Sequence, residues 1–326
     1  MKVISQYIST KFNAGPKAKI DVEKILKKKY NAKICTFNLN EVDGRIISKI
    51  KKFLFSFFNL MGNDLTIIQF PFTNKKKLLK LAKNKVAFIH DIDGIRYKDE
   101  KVLFEEIEGL NSFKYVIVHN KKMEAFLKEN GLKAKTIVLE LFDYLTDYIP
   151  NANKEIDVNN IRIAYPGNLE KAKANFLYQL EEDKMNFTVV TYGANFEENA
   201  NKKVIFDGKH SPDVLPEKLR ADLGLVWSGS IDDSDVDIGE KDYNRYNTPH
   251  KLSCYIVAGL PVIVWKESAV ADIVNKYNIG YTISNLYDIN LLDLSQYEGK
   301  RKNVLNLSTK LRNGEFTLNA INEIIK

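Results

Sequence analysis

The sequence is poor in cysteine and has no long apolar run. Cys35 and Cys254 are the only two cysteines among 326 residues, and they stand far apart. Neither a disulfide framework nor a cysteine-based metal site is indicated, so we expect a reducing compartment such as the cytoplasm. No run approaches the roughly 20 apolar residues that a membrane-spanning helix requires. The first ten residues lack the pattern of a secretory signal and predict a strand instead.

Two familiar nucleotide-binding patterns are also missing. The chain contains neither G-x-G-x-x-G nor the Walker pattern, which argues against a dinucleotide oxidoreductase and against a P-loop NTPase. The composition is otherwise that of a globular protein, since 44% hydrophobic and 11% aromatic residues suffice for real cores. At this length we expect two domains.

The net positive charge lies in the first half of the chain. Residues 1–150 contain 28 Lys and Arg against 17 Asp and Glu, whereas residues 151–326 contain 21 against 25. A basic half favours an acidic partner, such as a membrane surface, nucleic acid or an acidic protein. The alternative is that the lysines serve only solubility.

One helical pattern stands out in this basic half. Apolar residues recur at i, i+3 and i+4 from Ile46 to Met61, which predicts a single apolar helical face. Such a face usually packs into a core, and we expect that here. Lys49, Lys51 and Lys52 beside it leave a peripheral membrane contact as the alternative.

Short β-branched runs alternate with helical patterns along the chain, which predicts parallel sheets covered by helices on both faces. The pattern breaks at Tyr148–Asn160, which we interpret as a linker between a domain over residues 1–150 and a second over residues 156–307. Ligands of such sheets bind beyond the carboxyl ends of the strands, so we expect a site in a cleft between the domains. The expected strands are Val3–Ile8, Ile34–Asn38, Leu65–Phe70, Val86–His90, Tyr115–His119, Ile137–Leu139, Ile161–Tyr165, Phe187–Thr191, Val204–Phe206, Leu223–Trp227, Val262–Trp265 and Gly280–Ile283.

The richest candidate site is Tyr243–Pro261. Asn247, His250 and Lys251 stand at the start of an apolar helical pattern, with Pro249 in the first turn, where its missing N–H is tolerated. The N–H groups of a first turn and the positive end of the helix dipole attract anions, and Lys251 adds a full charge. This combination predicts a seat for a diphosphate that needs no metal.

Two glycine-containing strand ends in the same domain are further candidates. Gly167 permits a close backbone approach, Asn168 suits a helix N-cap, and Lys171 could reach a phosphate. Tyr192 and Gly193 end the next strand and could stack a base and read its edge. The plain alternatives are an ordinary capped strand–helix turn and a tyrosine that covers the end of a strand.

Most of the candidates in the first domain follow one buried strand. His90, Asp91, Asp93 and Arg96 cluster at its end, and His90 or a carboxylate could act as the general base for an acceptor hydroxyl. Alternatively, Asp91 or Asp93 caps a turn or pairs with Arg96. Gly15, in the turn after the first strand, could contact a phosphate or the acceptor.

In their order, these segments resemble a known family. PGNLEKAKANFL, TYGANF, DLGLVWSGS and YNRYNTPHKLSCYIVAGLPVIVW, with HDIDGIR ahead of them, are similar to bacterial GT-B glycosyltransferases that extend sugars on serine-rich adhesins, and to β-1,6-galactofuranosyltransferases. The resemblance covers nearly the whole chain. It implies the GT-B fold, an α/β architecture of two Rossmann-like domains that face a central cleft. It also implies a C-terminal helix, about residues 308–326, that crosses back to the first domain.

The resemblance also implies an activity. The expected enzyme moves a hexosyl group from a UDP-sugar to a hydroxyl of an acceptor glycan on a glycoprotein such as a serine-rich adhesin. Glucose is the first candidate for the transferred sugar. Galactofuranosyl or other hexosyl transfer in cell-surface polysaccharide synthesis is the alternative. The same resemblance implies no metal or other cofactor and a homo-oligomer. The residues themselves indicate a cytoplasmic location, with peripheral contact at the inner membrane face left open.

The resemblance assigns roles to the candidate residues. The donor is expected in the C-terminal domain. Of the residues given next, the first three would border the donor phosphates, the following two would meet the uracil, and the last three would hold the diphosphate. The expected donor-binding residues are Gly167, Asn168, Lys171, Tyr192, Gly193, Asn247, His250 and Lys251. In the first domain the resemblance implies that His90, Asp91 and Arg96 face the acceptor. From the chemistry of the residues themselves, we expect His90 and Asp91 to be catalytic and Gly15, Asp93 and Arg96 to contact the acceptor.

Two other functions compete with this one on sequence alone. A non-catalytic nucleotide-sugar-binding partner of another transferase would carry the same donor-site residues. A nucleic-acid-binding protein would explain the basic half, but the chain has no recognisable binding motif and no interleaving of aromatic and basic residues. We therefore expect no nucleic-acid partner.

Overall fold

The chain forms two compact units in a computed structural model. The structure describes residues 1–7, 15–38, 45–62, 64–72, 81–232 and 240–326. The first unit comprises residues 1–143 and 314–326, and the second comprises residues 144–313. The break in the sequence pattern at Tyr148–Asn160 therefore lies inside the second unit, a few residues beyond the point where the units divide.

The first unit is built on a six-stranded parallel sheet in the order β2-β1-β3-β4-β5-β6. Strands β3 and β4 are buried along their whole length, as continuous apolar runs predict for a sheet covered on both faces. The strands are β1 (Lys2–Tyr7), β2 (Lys33–Asn38), β3 (Thr66–Phe70), β4 (Lys85–Ile89), β5 (Tyr115–Val118) and β6 (Lys135–Val138). The helices described in this unit are α1 (Gly15–Tyr30), α2 (Arg45–Leu60), α3 (Asp93–Arg96), α4 (Glu100–Leu110), α5 (Lys121–Glu129) and the C-terminal α13 (Glu315–Ile325).

The C-terminal helix belongs to the first unit through a buried carboxylate. Asp143 accepts hydrogen bonds from the backbone N–H groups of Phe316 (3.2 Å) and Thr317 (2.7 Å) in the first turn of α13. Gly314 precedes this turn with φ +76°, and Ile25 of α1 leaves no room for a side chain there. Burial raises the pKa of Asp143 to about 7, so the contact that holds α13 is also costly to ionise.

Helix α2 departs from the sequence expectation. Ser56 and Leu60 are buried, but five large apolar side chains of the predicted face are exposed. The exposed residues are Ile50, Phe53, Leu54, Phe58 and Met61. The prediction that this face packs into a core is therefore wrong for these residues, because the helix attaches to the unit through its other side.

The second unit has a six-stranded parallel sheet in the order β12-β11-β10-β7-β8-β9. Counted from β7 as the first strand of the unit, this is the 3-2-1-4-5-6 order of Rossmann domains, and the order reverses between β7 and β10. The strands are β7 (Ile161–Asn168), β8 (Phe187–Ala194), β9 (Val204–Phe206), β10 (Leu223–Val226), β11 (Val262–Trp265) and β12 (Gly280–Ile283). Each of the twelve predicted strands overlaps a strand of the structure, which confirms the α/β class; Ile8, the predicted end of the first strand, lies outside the described residues.

Most helices described in the second unit are short, and the longest is α12. Those described are α6 (Lys171–Ala174), α7 (Phe176–Gln179), α8 (Leu215–Lys218), α9 (Glu240–Tyr243), α10 (His250–Val257), α11 (Ala269–Tyr277) and α12 (Tyr297–Arg312), with 3₁₀ turns at Glu182–Lys184, Leu286–Leu291 and Leu294–Gln296. Among the residues that the structure describes, no helix combines the length and apolarity needed to cross a bilayer.

Candidate functional site

Two glycines face each other at the carboxyl ends of β7 and β8. Gly167 and Gly193 are partners in the parallel ladder, with φ of +153° and +141°, a region that side chains rarely adopt. A Cβ on Gly193 would lie 1.9 Å from the carbonyl oxygen of Gly167, so no other residue fits there. The pair leaves bare backbone beside the point where the strand order reverses, which is where open α/β sheets bind ligands.

Lys251 brings a positive charge to this glycine pair. Its Nζ lies 3.7 Å from the position that a Cβ on Gly167 would occupy and 3.8 Å from the centroid of the Tyr165 ring. An ammonium over an aromatic face is stabilised by the ring, and this contact fixes the long side chain in place. The predicted seat for an anion therefore combines the end of β7 with a lysine 84 positions later in the sequence.

Lys251 also stands in the first turn of α10. The helix begins at His250, one residue later than predicted, so Pro249 is its N-cap and not its first helical residue. Pro249 has no side chain that could cap the turn, although its carbonyl accepts from the N–H of Leu252 (3.0 Å). The positive end of the α10 dipole and the Lys251 charge thus reinforce each other at one place.

The other residues of this segment differ in how they are held. The His250 ring stacks on Tyr144 with centroids 4.7 Å apart and planes 16° from parallel, and the Tyr144 hydroxyl donates to the carbonyl of Pro212. Asn247 has a buried side-chain oxygen that accepts no hydrogen bond from the described residues. A buried acceptor without a donor costs about 1–3 kcal/mol, so Asn247 is suited to receive a hydroxyl or N–H of a ligand.

Asn168 and Lys171 are tied into the loop after β7. The side-chain oxygen of Asn168 accepts from the backbone N–H of Glu170 (3.2 Å) and from the Asn195 amide (3.0 Å), while Lys171 pairs with Glu197 at 3.1 Å. Glu170, not Asn168, occupies the N-cap position of α6. Asn168 therefore closes a turn before the helix instead of capping it, because the helix begins three residues later.

Tyr192 belongs to the core of the second unit. Its side chain is buried, and its hydroxyl accepts from the backbone N–H of Arg220 (2.9 Å). Burial raises the pKa of the phenol to about 12, which is typical of a tyrosine with a structural role. The ring is not offered to a base in this structure, so contact with a ligand at this position falls to the backbone of Gly193.

His90 is held by one hydrogen bond and two aromatic rings. Its ring stacks on Phe88 and Phe142, with centroids 5.2 and 5.3 Å away, and its Nε2 lies 2.7 Å from the side-chain oxygen of Gln69. The Gln69 amide nitrogen donates to Ser5 Oγ and to the carbonyl of Lys19, which turns its oxygen toward His90. Since the Gln69 oxygen can only accept, Nε2 of His90 donates the proton in this contact.

A carboxylate that the sequence did not reveal organises the segment after His90. Glu106 of α4 accepts hydrogen bonds from the backbone N–H groups of Asp93 (3.1 Å) and Gly94 (2.9 Å) at the start of α3. Burial, with the negative charges of Asp93 and Asp91 acting in the same direction, raises the pKa of Glu106 to about 7. Glu106 lies outside any motif, and only folding brings it to this loop.

The remaining first-unit candidates lie around the same carboxylates. Asp91 pairs with Arg96 at 3.3 Å, as one alternative from the sequence anticipated. Gly15 is exposed at the start of α1, and Lys19, one turn later, is buried with its Nζ donating to the carbonyl of Gln6 (3.0 Å). Burial lowers the pKa of Lys19, and Asp91 is the strongest of the carboxylates that act in the opposite direction. The start of α1 therefore lies close to the segment after β4.

Two family models match most of the chain. The model of the Glucosyltransferase 3-like N-terminal domain matches residues 1–141, and that of the Glucosyltransferase 3-like C-terminal domain matches residues 163–324. Together they cover both units, including the glycine pair, Lys251 and the segment after β4.

Individual relatives agree with these models. The chain is 28% identical to the β-1,6-galactofuranosyltransferase WbbI of Escherichia coli K12, over 96% of this chain and 94% of that protein. It is 25% identical to glucosyltransferase 3 of Streptococcus gordonii, over 80% of each chain.

Solved structures share the fold. The Anabaena protein Alr3699/HepE, crystallised with UDP and glucose, superposes with a TM-score of 0.62 at 15% identity, over 100% of this chain and 99% of that one. Sucrose-phosphate synthase from Thermosynechococcus elongatus superposes with a TM-score of 0.68 at 12% identity, over 99% and 98%. The predicted GT-B fold is thus confirmed, and the chain belongs to the Glucosyltransferase 3-like family of glycosyltransferases.

Proposed function

We propose that this protein transfers a hexosyl group from a UDP-sugar to a hydroxyl of an acceptor glycan without a metal ion. The observation that carries the proposal is Lys251, fixed over Tyr165 at the first turn of α10 and directed at the glycine backbone of β7. Glucose, delivered to a glycan on a glycoprotein such as a serine-rich adhesin, is the first candidate, since glucosyltransferase 3 relatives match most of the chain.

The second unit would hold the donor through its diphosphate. Breaking the glycosidic bond leaves the electron pair and a full negative charge on the UDP oxygen. The Lys251 ammonium and the α10 dipole would stabilise that charge, in the role that a divalent cation takes in other transferases. Gly167 and Gly193 would let the phosphates approach the backbone, and Asn247 would accept a hydrogen bond from the donor.

The first unit would supply the base. Nδ1 of His90 would take the proton of the acceptor hydroxyl as its oxygen bonds to the anomeric carbon. Gln69 keeps the ring in the tautomer that this step requires, because it accepts from Nε2. Arg96, paired with Asp91, and the Asp93 carboxylate would bind hydroxyls of the acceptor sugar.

Replacing Lys251 tests the donor assignment. We expect Lys251→Ala to lose about 10²- to 10³-fold in turnover, the usual loss for one preorganised electrostatic contact, with little change in thermal stability. Lys276→Ala is the matched control, because Lys276 also lies over a tyrosine ring, at 5.0 Å from the Tyr277 centroid. UDP release from UDP-glucose in the presence of a glycan panel is the measurement. Full transfer by Lys251→Ala would overturn the proposal.

The same assay in EDTA tests the metal. We expect the wild-type rate to persist, since Lys251 and the helix dipole supply the charge. A loss of activity that magnesium or manganese restores would contradict metal independence. UDP binding without transfer to any acceptor would instead favour a non-catalytic nucleotide-sugar-binding partner.

Galactofuranosyl transfer is the second candidate for the donor sugar. The match to the E. coli β-1,6-galactofuranosyltransferase is the observation that favours it, since it extends over 96% of this chain. Comparing UDP-glucose with UDP-galactofuranose in the same UDP-release assay decides between the two sugars. A preference for UDP-galactofuranose would move the protein toward cell-surface polysaccharide synthesis.

A further inference from the structure

Helix α2 carries an exposed apolar surface that we call the α2 stripe, made of Ile50, Phe53, Leu54, Phe58 and Met61. These side chains are 44–67% exposed. Ile50, Leu54, Phe58 and Met61 follow one another at intervals of four, four and three residues, so they line one side of the helix. Apolar side chains that are exposed singly need no explanation, whereas several large ones that lie next to each other mark an interaction surface.

The opposite side of α2 attaches the helix to the first unit. Ser56 and Leu60 are fully buried, and the ring of Phe55 lies 5.3 Å from that of Phe37 at the end of β2. The Phe53 and Phe57 rings stack at 6.1 Å, which links the two sides. The helix is therefore anchored by one side, and the α2 stripe is available to a second, apolar environment.

The charge of the helix selects that environment. Residues 45–61 contain Arg45, Lys49, Lys51 and Lys52 and no acidic residue. A second copy of this chain would bring one all-basic helix against another in a symmetric interface, which like-charge repulsion opposes. An anionic surface would instead neutralise them, and it would suit the excess of 28 basic over 17 acidic residues in residues 1–150.

We propose that α2 docks the protein on a membrane that contains anionic lipids. The α2 stripe would enter the boundary between headgroups and acyl chains, while the exposed Lys51 beside it remains among the lipid phosphates. The helix has 16 residues and four basic ones, so it lies in the interface and does not span it. This inference rests on α2 alone and holds whether or not the proposed transfer reaction is correct.

Vesicle flotation of the full-length protein tests the docking. We expect binding to phosphatidylcholine vesicles that contain phosphatidylglycerol, weaker binding at high salt, and little binding to phosphatidylcholine alone. Replacing both Phe53 and Phe58 with serine should weaken binding by about tenfold or more, because two inserted aromatic side chains are lost. Phe104→Ser is the matched control, since Phe104 of α4 is 63% exposed and lies outside α2.

Three outcomes would overturn the proposal. The first is absence of wild-type binding to anionic vesicles. The second is an equal loss of binding in Phe104→Ser and in the double variant. The third is a stable oligomer, seen by light scattering, that the double variant dissociates while vesicle binding stays unchanged. Thermal stabilisation by UDP, measured on each variant, shows whether the second unit is intact and separates this test from that of the transferase proposal.

Discussion

The carboxyl ends of the two sheets carry opposite kinds of chemistry. In the second unit, the site consists of two glycines and a lysine held over a tyrosine ring. In the first unit, the end of β4 presents His90 and a group of carboxylates that Glu106 organises. Both sheets are six-stranded and parallel, but one follows the Rossmann order and the other begins 2-1-3.

The difference shows how one architecture supports two tasks. Bare backbone and the ammonium of Lys251 suit the diphosphate proposed for the second unit, because the helix N–H groups and the lysine both attract negative charge. A histidine is the usual general base, and burial raises the pKa of Glu106 to about 7, so this strand end suits the proposed activation of a hydroxyl. Each sheet supplies the carboxyl end of a buried strand, and the residues that follow that strand set the chemistry found there.

The largest expected effect is a loss of turnover on replacing His90, with UDP binding by the second unit unchanged. We expect His90→Ala to lose about 10²- to 10⁴-fold in turnover, the range for removal of a general base, with unchanged affinity for UDP. Gln69→Leu should lose less, because His90 remains but its tautomer is no longer fixed. Transfer kinetics and calorimetric UDP titration are the measurements. Weakened UDP binding in His90→Ala would break the proposed division of labour.

A smaller effect is expected from the glycine pair. In Gly193→Ala the new Cβ would lie 1.9 Å from the Gly167 carbonyl oxygen, so β7 and β8 must shift. We expect about 1–3 kcal/mol of lost stability and about tenfold to hundredfold weaker UDP binding.

Gly299→Ala is the control for this change. A Cβ at Gly299 of α12 meets nothing within 4 Å, so it should leave UDP binding intact and stabilise the helix slightly. Wild-type affinity in Gly193→Ala, measured by calorimetry, would show that the glycine pair does not form the donor site.

The smallest expected effect concerns the pH dependence of stability. The pKa of Glu106 is raised from 4.5 to about 7, so the folded state holds this proton more tightly than the unfolded chain. Its contribution to stability is complete below about pH 4.5 and is lost as the pH rises to about 7. Glu106→Gln should flatten the dependence of the unfolding free energy on pH across this window.

Glu105→Gln, at an exposed neighbour on the same helix, is the control for Glu106. Turnover adds a second measurement. Asp93 and Gly94 donate to different oxygens of Glu106, and a glutamine amide has only one acceptor oxygen, so the loop after His90 would loosen. Identical pH profiles in wild type and Glu106→Gln would contradict the assignment of Glu106 as the organiser of this loop.

Local patterns were sufficient for the strands and for the start of α10. Buried parallel strands appear in the sequence as short continuous apolar runs, and each run led to a strand. The proline and the cluster of polar and basic residues before Leu252 located the helix start to within one residue. Such features depend on neighbours in sequence, which is why they could be predicted.

Features that depend on distant residues could not be predicted in this way. Glu106 meets the segment after β4 only because α4 folds back on it, and nothing in its own neighbourhood marks it. Tyr192 stands at a strand end that suits a ligand, but its ring is buried and its hydroxyl accepts a hydrogen bond from the backbone N–H of Arg220. For α2, the helical period was clear, whereas the side that packs inward was decided by Phe37 and the rest of the unit.

The sequence by itself determined the elements of this protein: twelve parallel strands, the glycines at two strand ends and a basic helix start. These follow from side-chain periodicity and backbone preference, which act over a few residues. Only the tertiary structure decided that Lys251 lies over Tyr165 beside Gly167, that Glu106 holds the loop after His90, and that one side of α2 stays exposed. The reason is that each of these contacts joins segments whose proximity is set by how the helices pack on the sheets.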